Sequence, residues 1–137
     1  MQNRDLAADH LKRAQARLAA LNVLFDAGSW ADVVRESQEV VELTLKGLLR
    51  SCGVDPPRIH DVADVLIAER GRLPAALHDH VDTMAAASRS LRRDRELAFY
   101  GTDDLTPSDF YRETDAQAAR DQARTLVQLI APHVLTL

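Results

Sequence analysis

Arginine is concentrated in one short segment of this chain. Arg89, Arg92, Arg93 and Arg95 lie close together, and Tyr100 follows them. Guanidinium groups bind phosphates and carboxylates through paired hydrogen bonds, and a cluster of them raises the local positive potential. This segment is therefore the first candidate for chemistry, and an anion such as phosphate is the ligand it suits.

Arg95 is unusual because it continues an apolar helical stripe. The stripe is made of residues three or four apart, namely Leu77, Val81, Met84, Ser88, Leu91, Arg95 and Ala98. An inward guanidinium costs on the order of several kcal/mol unless carboxylates, carbonyls or a bound anion satisfy it. Three interpretations remain open: an ion pair, including one with a partner chain; exposure at a frayed helix end; and binding of an anion.

Two further pairs of polar residues are candidates for a site. Glu42 and Lys46 lie four residues apart, the spacing of a surface ion pair worth a few tenths of a kcal/mol. His60 and Asp61 precede a short helical segment, where either side chain can cap exposed backbone amides. A structural role and a role in binding substrate both remain open for these residues.

The sequence gives little support to other kinds of site. His78 and His80 are two residues apart, so on a helix their side chains diverge by roughly 200° and do not form a metal site. The few glycines form no phosphate-binding loop, and Cys52 has no neighbouring base in the sequence. We therefore expect neither a metal nor a cofactor.

Composition favours one all-α domain over residues 1–137. Apolar residues make up 46% of the chain, which excludes disorder, whereas aromatic residues make up only 4%, as suits packed helices rich in Leu, Val and Ala. No segment alternates like a strand. The pattern predicts an up-and-down antiparallel bundle of about five helices.

The helix boundaries follow from caps, glycines and prolines. Helix one should end near Gly28, and Ser29 should cap helix two, which Gly53 closes. The remaining expected features are a connection at Pro56–Pro57, a short helix stopped by Gly71, a fourth helix opened by Pro74, a loop over Gly101–Ser108, and a fifth helix with a Thr114–Gln117 capping box.

The chain is expected to act in the cytoplasm. One cysteine allows no intramolecular disulfide, and no run approaches the roughly 18 to 20 apolar residues of a membrane span. The net charge of −4 argues against a protein that coats nucleic acid nonspecifically, but it is compatible with a local basic binding site.

Three segments together resemble the HEPN domain family of prokaryotes. They are SQEVVELTLKGLLRSCGV (Ser37–Val54), IHDVADVL (Ile59–Leu66) and RELAFYG (Arg95–Gly101). The resemblance extends from about Leu11 to Val134. It implies a bundle of about five helices that forms a homodimer, with the arginine motifs of both chains meeting in a cleft.

The resemblance also implies a function. Many HEPN proteins are toxins of toxin–antitoxin pairs that cleave RNA without a metal, and many are encoded beside a small nucleotidyltransferase that acts as the antitoxin. Arg95 and Tyr100 would then be the catalytic residues, and Arg92, Lys46 and His60 would bind substrate. The alternative is a non-catalytic HEPN module that binds a nucleotide or a partner nucleotidyltransferase.

The sequence departs from the family pattern at one position. The family motif is an Arg followed, after four to six residues, by a His, and here Tyr100, Gly101 and Thr102 occupy the three positions. Tyrosine with an ordinary pKa near 10 is a poor base at neutral pH, although it can orient a phosphate or stack on a base. Cleavage and binding without cleavage therefore both remain open.

Overall fold

The computed structural model describes the backbone of residues 2–100 and 106–135 and the side chains of residues 4–91 and 106–135. Within these residues the chain is helical and contains no strand, which confirms the predicted all-α class. The α-helices are α1 (Gln2–Asp26), α2 (Trp30–Ser51), α3 (Ala63–Ala68), α4 (Val81–Tyr100), α5 (Pro107–Phe110) and α6 (Glu113–Leu135). Two 3₁₀ helices, Arg70–Arg72 and Ala75–His80, lie between α3 and α4.

Helix α2 lies at the centre of the bundle and packs against α1, α4 and α6. Its apolar residues recur with helical periodicity, so one broad face turns inward. The largest fully buried side chains come from six of the helical segments and include Leu11, Leu21, Leu45, Leu48, Leu49, Leu66, Leu77, Met84, Leu91, Leu126 and Ile130. Burial of each such side chain stabilises the fold by about 1.5–3 kcal/mol, so this core is what holds the helices together.

The tight turn between α1 and α2 depends on a glycine. Gly28 has φ of 70°, in the left-handed region where residues with a Cβ are strained. The turn is closed by a hydrogen bond from the Gly28 amide to the Phe25 carbonyl. The sequence therefore predicted the end of α1 correctly, and the short connection makes α1 and α2 antiparallel neighbours.

One predicted cap and two predicted boundaries differ in detail. Ser29 does occupy the cap position of α2, but its hydroxyl donates to the Asp32 carboxylate at 2.6 Å and does not accept from a backbone amide. Pro74 opens a 3₁₀ helix, and α4 begins only at Val81. The expected loop at Gly101–Ser108 ends early, because α5 already begins at Pro107.

The start of α6 also differs from the prediction. Thr114 was expected to form a capping box with Gln117, yet the helix begins at Glu113, so Thr114 is already inside its first turn. The Asp115 carboxylate instead accepts from the Arg112 amide at 2.8 Å. An acidic side chain reaching back three residues satisfies one exposed donor at the start of the helix.

Candidate functional site

A cluster of charged and polar side chains at α2 joins three of the residues singled out in the sequence. The Glu42 carboxylate is hydrogen-bonded to His60 Nδ1 at 2.5 Å and accepts from Lys46 Nζ at 3.3 Å. His60 stands in the connection before α3, eighteen residues from Glu42, and the path of that connection brings it back over α2. We call Glu42, Lys46 and His60 the Glu42 cluster.

Glu42 and Lys46 are more buried than a surface pair. Their side chains are only 16% and 17% exposed, whereas the His60 side chain is 53% exposed. The predicted ion pair is therefore present, but both of its side chains are more buried than those of an ordinary surface pair. The Glu42 carboxylate is mostly buried and contacts two basic groups. One of them, the His60 imidazole, is half exposed at the edge of the cluster.

The Glu42 cluster can support proton transfer. A carboxylate that accepts from imidazole Nδ1 fixes the orientation of the ring and selects the tautomer in which Nε2 carries the free lone pair. More than half of the His60 side chain is open to solvent, so a substrate has access to the ring. The arrangement is that of an oriented acid–base group, although the sequence indicated His60 only as a cap or a binding residue.

Asp61 and Ser88 fix the start of α3 beside this cluster. Asp61 Oδ1 accepts from the Ala63 amide at 2.9 Å and from Ser88 Oγ at 3.1 Å, while Ser88 Oγ accepts from the Val62 amide at 2.7 Å. The predicted capping role of Asp61 is confirmed. Ser88 is fully buried on α4, so these bonds tie the connection that bears His60 to α4.

The arginine segment is described in part. Arg89 lies 3.7 Å from the Asp64 carboxylate in a pair that is mostly exposed, which adds little to stability. The side chains of Arg92, Arg95 and Tyr100 lie outside the described residues, although the backbone of α4 extends to Tyr100. The structure thus joins Lys46 and His60 through Glu42, and the predicted roles of all five residues stay predictions.

A second feature was missed in the sequence. A cavity of about 350 Å³ lies between α2, α4 and the start of α6, and Ser37 and Gln38 line it. Both side chains are more than nine-tenths buried, and neither Ser37 Oγ nor either polar atom of the Gln38 carboxamide finds a hydrogen-bond partner among the described residues. The spacing in the sequence could have predicted that Gln38 is buried, because it lies four residues after Val34 and three before Val41, on the apolar face of α2.

Two other kinds of feature are absent from the part of the chain that the structure describes. It contains no group of three or more His, Cys, Asp or Glu side chains arranged to hold a metal ion. None of its helices combines the length and the apolar character needed to cross a bilayer.

Comparison with known proteins places the chain in a family. The HEPN domain model matches residues 7–133, which is nearly the whole chain. Nothing matches among curated proteins or among solved structures. The matched range includes α2 to α5 in full, most of α1 and α6, and all three segments that carry the resemblance in the sequence. The chain belongs to the HEPN domain family.

Proposed function

We propose that this protein is a metal-independent ribonuclease of the toxin type. In the family motif, the histidine that follows the arginine helps to move the proton of the attacking ribose 2′-hydroxyl, and here His60 takes that role. The observation that supports this best is the hydrogen bond between His60 and Glu42. The chain has Tyr100 in the position expected for that histidine, so an oriented imidazole elsewhere supplies the missing acid–base group.

The direction of α4 supports a shared site for His60 and Arg95. Ser88, which binds the connection next to His60, lies on the same helix as Arg95 and seven residues before it. Seven residues span about 10 Å along the axis and return to the same face within about 20°. Arg95 thus follows Ser88 along one face of α4, and this spacing supports the proposal that Arg95 and His60 act in a single phosphate-binding cleft.

The reaction needs no metal. His60 accepts the proton of a ribose 2′-hydroxyl while that oxygen forms a bond to the adjacent phosphorus. The bond from phosphorus to the 5′-oxygen breaks, and this oxygen takes up a proton, which leaves a 2′,3′-cyclic phosphate and a 5′-hydroxyl. Arg95 stabilises the charge that develops on the phosphate, and Tyr100 orients the phosphate by hydrogen bonding.

The test is cleavage of single-stranded RNA by the purified chain in the presence of EDTA. We expect Arg95→Ala and His60→Ala each to reduce the rate about 100-fold or more, since each removes a group that acts in the transition state. His80→Ala is the matched control, because His80 is exposed and lies in the 3₁₀ helix Ala75–His80. RNA that stays intact with wild-type protein, or a His60→Ala variant as active as wild type, contradicts the proposal.

A second candidate is binding without cleavage, and the tyrosine at position 100 favours it. In that case the dimer cleft holds a nucleotide or a nucleotidyltransferase that acts as antitoxin. A nucleotidyltransferase encoded by a neighbouring reading frame is the first partner to test. Calorimetry should then show that the wild-type chain binds a nucleotide or the nucleotidyltransferase and that Arg95→Ala abolishes this binding. RNA should stay intact with the wild-type chain and with the variant.

A further inference from the structure

Ser88 is a buried serine on the apolar face of α4, and packing alone does not require its hydroxyl. It is fully buried, and Met84 and Leu91, which lie on the same face, belong to the core around it. Other small residues of this helix, Ala85 and Ala87, are buried without a polar group. Burial of a hydroxyl costs free energy unless it forms hydrogen bonds. The hydroxyl of Ser88 therefore matters for the groups that it binds.

Those groups belong to the connection that carries His60. Ser88 Oγ accepts from the Val62 amide at 2.7 Å and donates to Asp61 Oδ1 at 3.1 Å. The same Asp61 oxygen accepts from the Ala63 amide at 2.9 Å. The two residues that follow His60 are thus bound to one side chain of α4.

This link to α4 is close to His60 along the chain, whereas the segment before His60 is held less closely. None of residues 55–60 is buried, and Val54, six residues before His60, is the first buried residue on that side. On the other side, Val62 is 1% exposed and lies only two residues away. The backbone position of His60 therefore depends more on the anchor at Val62 than on the segment that precedes it.

The ring of His60 must meet Glu42, which lies on a different helix. Hydrogen bonds that involve nitrogen hold over heavy-atom distances of about 2.7–3.2 Å, so a backbone shift of about 1 Å removes the contact. Misplacement of a reacting group by about 1 Å costs on the order of 100-fold in rate.

We propose that Asp61 and Ser88 are positioning residues for the His60 imidazole. They hold the ring against Glu42 and tie it to the helix that bears Arg95. Their role in cleavage rests on the proposed function, whereas the dependence of the ring on these two residues does not.

The direct test is NMR of the His60 ring in the absence of RNA. At alkaline pH, where an imidazole is neutral, the chemical shifts of the ring nitrogens report which tautomer is present. The signals of His60 are those missing from the spectrum of His60→Ala. We expect wild-type protein to show the tautomer with the proton on Nδ1, which the bond to Glu42 selects. Asp61→Ala and Ser88→Ala should each show a mixture of both tautomers, because the ring loses its fixed contact.

Matched variants separate positioning from a general loss of structure. Asp61→Asn keeps the oxygen that accepts both hydrogen bonds, so it should show the wild-type ring signals. Ser90→Ala is the control for Ser88→Ala, because the Ser90 hydroxyl donates to a carbonyl of its own helix at 2.8 Å. Asp64→Ala is the control for Asp61→Ala, because Asp64 also pairs with α4 but is almost fully exposed. The ring of His78 bonds a backbone carbonyl at 2.9 Å, and its unchanged signals in every variant would show that the fold is intact.

Cleavage of single-stranded RNA then tests what the positioning achieves. We expect Asp61→Ala and Ser88→Ala each to lower kcat about tenfold or more and to leave KM within about twofold of wild type, because RNA still binds while the proton acceptor is misplaced. Asp61→Asn should keep kcat within about twofold of wild type, since its hydrogen bonds remain.

The outcomes separate this inference from the proposed function. Wild-type ring signals in both Asp61→Ala and Ser88→Ala overturn the positioning role, whether or not RNA is cleaved. Altered ring signals in these variants, with RNA left intact by wild-type protein, overturn the ribonuclease and leave the positioning of the ring standing. Altered ring signals with an unchanged kcat overturn the role of the two residues in cleavage.

Discussion

Glu42 is the residue on which the candidate site depends. Its carboxylate contacts both His60 and Lys46, and it is mostly buried between them. Loss of the carboxylate leaves a mostly buried ammonium group without that partner and an imidazole without its orienting contact. A single substitution therefore affects both stability and the proposed proton transfer.

We expect Glu42→Ala to lower the free energy of unfolding by about 2 kcal/mol, because a mostly buried charge loses its partner. Glu36→Ala is the matched control on the same helix. Glu36 pairs with Arg17 at 2.7 Å, but both side chains are more exposed, so its loss should cost only about 0.5 kcal/mol. Urea denaturation measures both values, and equal losses would show that Glu42 is no more than a surface partner.

Gln38 should behave in the opposite way. The buried Gln38 carboxamide has no hydrogen-bond partner within residues 4–91 and 106–135, which costs stability, so we expect Gln38→Met to raise the free energy of unfolding by about 1 kcal/mol. Gln128→Met, at an exposed position, should stay within about 0.5 kcal/mol of wild type. A Gln38→Met variant that is destabilised by more than about 1 kcal/mol would mean that the carboxamide has a structural partner.

At the scale of elements, the close approach of α1 and α2 is set by a glycine. A Cβ built on Gly47 would lie 2.5 Å from Leu11 Cδ2, 3.2 Å from His10 Cβ and 3.3 Å from the Ala7 carbonyl oxygen. Leu11 is fully buried, so its side chain has little room to move away. The two helices must therefore separate or shift to admit even one methyl group.

We expect Gly47→Ala to destabilise the bundle by about 1 kcal/mol, since overpacking outweighs the better helix propensity of alanine. Gly71→Ala is the control, because no atom lies within 4 Å of a Cβ built there, and it should change stability by less than about 0.5 kcal/mol. Thermal denaturation compares the two. If Gly47→Ala is instead more stable than wild type, the Leu11 side chain moves aside at little cost.

The sequence predicted the long helices well because each has an apolar stripe and clear ends. It failed to predict hydrogen bonds whose partners depend on which side chains are close in space. Thr114 and Gln117 have the spacing of a capping box, but Asp115 competes and binds the Arg112 amide instead. The pairing of His60 with Glu42 across eighteen residues depends on the path of a connection, which no local pattern records.

At the scale of the whole molecule, membership of the HEPN family makes the homodimer the next question. We expect the wild-type chain to sediment as a dimer and the Arg95→Ala variant to remain one while it loses cleavage. The reason is that Arg95 is proposed to act on RNA and not to hold the interface. Sedimentation of Arg95→Ala as a monomer would show that the arginine forms an ion pair between chains.

The most direct test of the account is the chemistry of the cleaved RNA. The purified chain is incubated in EDTA with one single-stranded RNA and with the same sequence methylated at every ribose 2′-oxygen. The account predicts that the unmodified RNA is cut to products ending in a 2′,3′-cyclic phosphate, while the methylated RNA stays intact because its 2′-oxygen cannot attack. Cleavage of both strands, or of neither, would contradict it.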